Sequence, residues 1–234
     1  MPRTWMSALY KYSYPVTLCK FKGRGAFPGF FTRDIPGDRD TTIEFEHYFR
    51  ANSEKQVEPY LEVVFWKLYS QPMIRQGTTS RIAEYVSEQG IDARDLRCAV
   101  DLFVEKPTKA NLAVMRALLG LKADVLATAL TLPAFVDPVR YPMVDRRTAK
   151  WITSNWSTHN RKRTNRLGPF RVKEGVLRDN DFDNYLNWVA WCRQTAEVLT
   201  KSTNLQWRAR DVEMAVFTAA PTKRKKGMRL NPLP

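Results

Sequence analysis

The chain has few residues of the kinds that hold metals or build disulfide frameworks. Of its 234 residues, only 3 are Cys and 2 are His. Cys19, Cys98 and Cys192 are far apart and never form a CxxC pair, which excludes a disulfide framework and a four-cysteine zinc or iron–sulfur site. His47 and His159 are also widely separated. We therefore expect three reduced thiols in the core, no metal and no cofactor.

Long hydrophobic runs are also missing. The longest charge-free stretch in the middle of the chain, Val125–Val136, contains a proline and is too short to span a bilayer. The first residues, MPRTWMSALYKYSYP, lack the apolar core and the cleavage site of a secretory signal. These absences predict a soluble, cytoplasmic protein that does not enter a membrane.

Acidic residues are fewer than basic residues. The chain has 38 Lys and Arg against 24 Asp and Glu, which leaves a formal net charge of +14 at pH 7. Such an excess favours a polyanionic partner, with nucleic acid first and an anionic membrane surface second. Because 44% of the residues are hydrophobic, the chain can bury a sizeable core, which excludes disordered and fibrous classes.

The hydrophobic pattern is mainly helical. Residues 1–44 mix aromatic residues with glycines and prolines, which predicts an irregular or partly β N-terminal extension. Beyond it, apolar residues recur at three- and four-residue steps and no alternating strand pattern is found, so we predict an all-α fold. The predicted helix caps and terminators are Asp92, Thr108, Asp145, Gly90 and Gly120.

One stretch combines a short turn with a downstream aspartate. A helix is expected to end at Gly120 and a second to run from Lys122 to Leu132. Backbone N–H groups at the start of a helix can hold a phosphate, and a glycine allows close approach. Asp145 follows 25 residues after Gly120, at the end of an apolar segment. The alternative is an ordinary helical hairpin, with Gly120 as a C-terminal cap and Asp145 as an N-terminal cap.

This stretch, 118–152, resembles the helix-hairpin-helix DNA glycosylases, the superfamily of endonuclease III and the eight-oxoguanine glycosylases. The family hairpin reads roughly L-P-G-V-G-x-K-x-A, with V-D downstream at a similar spacing. Gly120 matches the first glycine, and Val144-Asp145 matches V-D. The resemblance implies a two-lobed helical fold with the site in the cleft between the lobes. The implied division is 1–44 as the extension, 45–75 plus 179–220 as the first lobe, 76–178 as the second lobe and 221–234 as a basic tail.

The resemblance also implies an activity. A DNA glycosylase flips a damaged or modified base out of double-stranded DNA and cleaves its N-glycosidic bond. Asp145 would be the catalytic carboxylate, since positive charge builds on the sugar in the transition state. We expect a monomer that leaves an abasic site. Three classes of excised base remain as alternatives: an oxidised purine, an alkylated base and a hypermodified cytosine.

Two shorter segments match the same superfamily. Leu68-Tyr69-Ser70-Gln71 resembles a turn whose glutamine enters the gap left by a flipped base, which makes Gln71 a candidate. The segment 212–219 resembles the last helix of the eight-oxoguanine glycosylases, where Glu213 and Phe217 would face the base. Trp66 and Tyr69 complete the predicted base pocket, although such aromatic residues are more often core. An ionised Glu213 would accept hydrogen bonds from a base edge rich in N–H groups.

The hairpin departs from the family pattern at several positions. Leu119 replaces the family proline, and the second glycine is replaced by Lys122. Asp124 stands where lyase-competent relatives carry a Schiff-base lysine, which implies hydrolysis without strand cleavage. We expect Lys122 to contact phosphate, with a role as the catalytic amine as the alternative.

The segment 140–178 contains eleven basic residues against two acidic ones, a pattern typical of a surface that binds a phosphate backbone. Two rival hypotheses remain: a non-catalytic DNA-binding protein of the same fold, and an unrelated basic helical protein that binds RNA or a protein partner. The predicted DNA-binding residues are Leu119, Gly120, Leu121, Lys122, Gln71, Arg146, Arg147, Lys150, Arg161, Lys162 and Arg163.

Overall fold

The computed structural model describes residues 2–14, 16–17, 34–35, 37–68, 71–122, 126–159, 166–171, 177–221, 227–228 and 230–233. Within these ranges the regular structure is helical apart from two short strands, β1 (Val16–Thr17) and β2 (Asp34–Ile35), which pair antiparallel. The all-α prediction is confirmed. None of the helices in these ranges is long and apolar enough to cross a bilayer.

The chain divides into two compact units. We call Tyr14–Val136 the central unit, and Met1–Ser13 together with Asp137–Pro234 the terminal unit. This division differs from the lobes expected from the sequence. The reason is packing, because the helices of 45–75 contact those that follow them up to residue 136, and the helix that follows Asp145 contacts the last helix of the chain.

The described part of the central unit contains six helices. An aromatic cluster holds three of its segments together, since the ring centroids of Phe45, Trp66 and Phe135 lie 5.0–6.1 Å apart. The helices are α2 (Arg39–Asn52), α3 (Glu58–Lys67), α4 (Pro72–Glu88), α5 (Ala93–Glu105), α6 (Lys109–Leu118) and α7 (Thr131–Val136). Eight of the ten α3 residues are buried, so α3 runs through the core of the unit.

Two predicted caps of the central unit are confirmed. The Asp92 carboxylate accepts a hydrogen bond from the Asp95 N–H at 2.9 Å and begins α5. The Thr108 hydroxyl oxygen accepts one from the Asn111 N–H at 3.2 Å and begins α6. From the sequence, a helix that ends at Gly90 is predicted to begin at Thr79 or Ser80. This start is wrong, because α4 begins at Pro72, a residue favoured in the first turn of a helix.

The described part of the terminal unit contains four helices and a short 3-10 turn at Asp179–Asp181. The helices are α1 (Pro2–Tyr10), α8 (Arg146–His159), α9 (Phe182–Ser202) and α10 (Ala209–Ala219). Helix α10 packs against α1, α8 and α9, and nine of its eleven residues are buried. It is therefore the central helix of this unit.

Helix α1 lies where the sequence predicted an irregular extension, so that prediction is wrong for these residues. Trp5, Ala8, Leu9 and Tyr12 are buried, and they recur at helical spacing. The Trp5 indole N–H donates to the backbone oxygen of Asn231 at 2.9 Å. The periodicity was present in the sequence, but it covers little more than two turns.

The cysteines do not all lie in the core. Cys192 is buried in α9, whereas Cys98 is exposed on α5. Cys98 lies on the face of α5 opposite Leu96 and Val100, which are buried. The expectation of a core thiol is therefore wrong for Cys98, and Cys19 lies outside the described residues.

A buried carboxyl group in the central unit predicts a pH-dependent stability. Glu62 is fully buried in α3, and burial raises its pKa to about 8. A hydrogen bond with Tyr48 lowers this pKa and the charge of Glu58 raises it, each by less than burial does. The folded chain therefore holds a proton on Glu62 at pH values where the unfolded chain has lost it.

We expect the free energy of unfolding to fall as pH rises from about 4.5 to about 8, because in that range the unfolded state binds fewer protons. One such group contributes a slope of at most about 1.4 kcal/mol per pH unit. Urea unfolding at several pH values measures this slope, and Glu62→Gln should flatten it. The exposed Glu88→Gln is the matched control and should leave it unchanged; equal slopes in all three proteins would contradict the prediction.

Candidate functional site

Within the described residues, Asp145 is held at the start of α8 through one of its two carboxylate oxygens. Oδ1 accepts hydrogen bonds from the Thr148 N–H at 2.7 Å and from the Thr148 hydroxyl at 2.9 Å. The Asp145 N–H donates in return to the Thr148 hydroxyl oxygen at 2.9 Å. The predicted role of Asp145 as the N-terminal cap of α8 is confirmed. Within the described part of the chain, Oδ2 takes no hydrogen bond, and the side chain is half-buried.

The segment that leads to Asp145 is fixed by α9. Tyr141, Met143 and Val144 are buried. The Trp188 indole N–H donates to the Met143 backbone oxygen at 2.9 Å, and the Tyr185 hydroxyl donates to that of Pro142 at 3.3 Å. Burial raises the pKa of the Tyr185 hydroxyl well above its usual value, so this donor keeps its proton. The Asp145 backbone is therefore anchored on both sides.

Two predicted DNA-binding cations lie on the exposed side of α8. Arg146 and Lys150 are exposed and one turn apart. Arg146 directly follows the anchored carboxylate, and Lys150 lies about one turn further along α8. The structure therefore places a positive surface next to Asp145.

Arg147 is directed into the unit instead. Its guanidinium donates to the backbone oxygen of Ala220 at 3.0 Å and to that of Thr218 at 3.4 Å, at the end of α10. It also lies over the Phe217 ring, 4.3 Å from the centroid. Burial lowers the pKa of Arg147, and the charge of Asp145 acts in the opposite direction. The prediction of Arg147 as a phosphate ligand is contradicted, because its donors join α8 to α10.

Phe217 and Glu213 do not form an open base pocket. Arg147 covers one face of the Phe217 ring, and Tyr12 meets that ring edge-on at 5.9 Å. Glu213 is 2% exposed and forms an ion pair with Arg210, which is fully buried. The expected contact of Glu213 with a base edge is contradicted, since its carboxylate is already paired inside the unit.

Gly120 ends α6 as the sequence predicts. The turn and the packing against neighbouring residues require this glycine. Gly120 has a φ of +56°, and its N–H donates to the Ala117 oxygen at 3.1 Å. The N–H of Leu121 donates to the Arg116 oxygen at 2.9 Å. A Cβ at position 120 would lie 2.7 Å from the ring of Tyr85. The residue must therefore be glycine for the turn and for packing.

These bonds use the donors that were expected to hold a phosphate. The N–H of Leu119 also donates to the Arg116 oxygen, at 3.2 Å, and its side chain is buried. The prediction of Leu119, Gly120 and Leu121 as backbone phosphate ligands is therefore contradicted. Lys122 is exposed, and its role as a phosphate contact stays a prediction.

The second helix of the hairpin begins later than expected. Residues 127–130 form turns, and α7 begins at Thr131. Pro133 explains the difference, because a proline inside a helix loses a hydrogen bond and clashes with the preceding turn, whereas the first turn accepts it. The predicted helix ended at Leu132, but α7 continues to Val136, so a start at Lys122 would have placed Pro133 in the helix interior.

The remaining predicted residues belong to the central unit or are not described. Gln71 is exposed just before α4. Trp66 is 1% exposed within the aromatic core, which contradicts its role in a base pocket. The predicted residues that lie outside the described ranges are Tyr69, Asp124, Arg161, Lys162 and Arg163.

Sequence reasoning missed the residues that position Asp145, namely Thr148, Tyr185 and Trp188. Thr148 had a local signal, since a hydroxyl residue three positions after a capping aspartate can return the capping hydrogen bond. Tyr185 and Trp188 had none, because they lie about 40 positions away in the sequence.

No group of three or more His, Cys, Asp or Glu side chains within the described ranges is arranged to hold a metal ion. Comparison of the chain with protein-family models, with curated proteins and with solved structures found no match.

Proposed function

We propose that this protein is a DNA glycosylase in which Asp145 stabilises the positive charge that develops on the sugar. The observation that carries the proposal is the state of this half-buried carboxylate, in which Thr148 binds Oδ1 and no other described residue forms a hydrogen bond to Oδ2. A fixed carboxylate with one free oxygen can face a developing cation without rearranging, which is the basis of electrostatic catalysis.

The proposed reaction uses water and no cofactor. The bond between C1′ and the base nitrogen breaks, and its electron pair leaves with the base. The oxygen of water then bonds to C1′ and releases a proton, which the Asp145 carboxylate accepts and passes to the departing base or to solvent. The products are a free base and an intact strand with an abasic site.

The surroundings of Asp145 favour a DNA substrate. Arg146 and Lys150 are exposed beside it and can contact phosphates on either side of the extruded nucleotide. The net charge of +14 supplies the sequence-independent attraction that DNA-binding proteins use. The resemblance of residues 118–152 to helix-hairpin-helix glycosylases supports the same class.

A panel of duplexes, each carrying one oxidised, alkylated or hypermodified base, tests the proposal. We expect base release from at least one duplex, with strand breakage only after hot alkali, because Asp124 replaces the lysine of lyase-competent relatives. A borohydride-trapped protein–DNA adduct that disappears in Lys122→Gln would contradict hydrolysis and assign Lys122 as the amine. Absence of base release from every duplex would overturn the proposal.

A second candidate function is DNA binding without excision. It is favoured by the Arg210–Glu213 ion pair and by the position of Arg147 over Phe217, since both remove side chains from the expected base pocket. The same panel separates the two functions. A non-catalytic protein would bind the duplexes and leave every base attached.

A further inference from the structure

A groove in the terminal unit lies between α1 and the end of α9. It has a volume of about 630 Å³, within the range of ligand-binding clefts. Of the described lining residues, four occupy one side of α1, and Lys11 follows its last residue. The other two are the last residue of α9 and the residue after it. The lining residues are Arg3, Met6, Ser7, Tyr10, Lys11, Ser202 and Thr203.

The α1 side of the groove carries two cations. Arg3 and Lys11 are both exposed and eight residues apart, which corresponds to about 12 Å along a helix. Neither cation forms an ion pair with any other described residue, and none of the seven lining residues is acidic. This wall can therefore bind more than one phosphate of the same strand.

Tyr10 lies between the two cations. It is 72% exposed, the highest value among the large hydrophobic side chains of the described residues. The opposite, buried side of α1 contains Trp5, Ala8 and Leu9, which hold the helix in place. The Tyr10 ring is thus presented to solvent from a fixed helix, as in proteins that stack unpaired bases on aromatic side chains.

The α9 side of the groove is lined by two hydroxyl residues, Ser202 and Thr203. The Ser202 hydroxyl donates to the Val198 oxygen at 2.8 Å, and the Thr203 hydroxyl donates to the Leu199 oxygen at 2.8 Å. Both hydroxyl hydrogens are therefore already donated to backbone oxygens of α9. The end of a helix also carries partial negative charge. The Ser202 oxygen can accept a hydrogen bond from an N–H group of a base edge, whereas the Thr203 oxygen already accepts one from the Trp207 indole N–H at 3.0 Å.

We infer that this groove binds a single strand of nucleic acid, with its phosphates along Arg3 and Lys11 and a base stacked on Tyr10. A duplex does not satisfy the groove, because its bases are already stacked on each other. The inference concerns binding alone and does not depend on base excision.

Fluorescence anisotropy with a short labelled single strand of undamaged DNA tests the inference. Tyr10→Ala should weaken binding by about 5- to 150-fold, the loss expected for one base–aromatic stack, and Tyr10→Phe should restore it. Arg3→Gln/Lys11→Gln should lower the slope of log K against log salt by about 0.7 for each phosphate contact removed.

The matched control is Arg94→Gln/Lys109→Gln, which removes two exposed cations outside the groove and should change neither quantity. Wild-type binding by Tyr10→Ala, or equal competition by a duplex of the same length, would overturn the inference. Binding of the single strand is measured separately from base excision on the damaged duplexes. Single-strand binding can therefore be disproved while base excision is confirmed. Base excision can likewise be disproved while single-strand binding is confirmed.

Discussion

Asp145→Asn is expected to lose base excision by about three orders of magnitude while keeping its fold and its affinity for DNA. Asparagine retains an oxygen that can accept the Thr148 N–H, and it caps helices as well as aspartate does. What it lacks is the negative charge. Since the sugar becomes positive only in the transition state, the substitution should lower kcat and leave substrate binding unchanged.

The measurement is single-turnover excision on the most reactive duplex of the panel, together with anisotropy on the same duplex. Asp137→Asn is the matched control, because the Asp137 carboxylate also accepts a backbone N–H of its own turn, from Arg140 at 3.0 Å, within the same unit. That control should excise at the wild-type rate. Excision at the wild-type rate by Asp145→Asn would disprove the role of Asp145, and equal losses in both variants would indicate damage to the fold.

The second large effect concerns the buried ion pair of α10. Arg210 is fully buried and Glu213 nearly so. The Arg210 guanidinium also contacts the Tyr12 hydroxyl at 3.4 Å, which joins α10 to the segment after α1. Removing one member of such a pair leaves an uncompensated charge in a medium of low polarity.

We expect Arg210→Met to lower the free energy of unfolding by about 3–5 kcal/mol. The double variant Arg210→Met/Glu213→Leu should recover most of this loss, because neither charge is then buried alone. Urea unfolding of the single and double variants measures the difference. A loss below about 1 kcal/mol in the single variant, the range of an exposed ion pair, would contradict the prediction.

Local signals in the sequence were sufficient for several elements. Asp92 and Thr108 begin helices because their side chains satisfy N–H groups of the same turn. Gly120 ends α6 because only glycine adopts its backbone conformation without strain. Asp145 caps α8 for the same local reason as Asp92. Each of these signals involves residues within about four positions of one another.

Other features had a sequence signal that was too short to be decisive. The buried side of α1 spans only Trp5 to Tyr12. Pro133 also contained the information that the hairpin helix begins late, since proline belongs in the first turn. In both cases the pattern was compatible with more than one structure until the neighbouring helices were known.

The sequence by itself determined the all-α class, the excess of positive charge and the helix ends at Asp92, Thr108, Gly120 and Asp145, because these depend on composition and on contacts between near neighbours. Only the tertiary structure decided which side chains remain accessible. Arg147, Glu213 and Trp66 have the chemistry of a DNA-binding or base-binding site, yet each is engaged inside its unit. Tyr10, with Arg3 and Lys11, lies on an open groove. A side chain is buried or exposed according to what packs against it, and those partners come from distant parts of the chain.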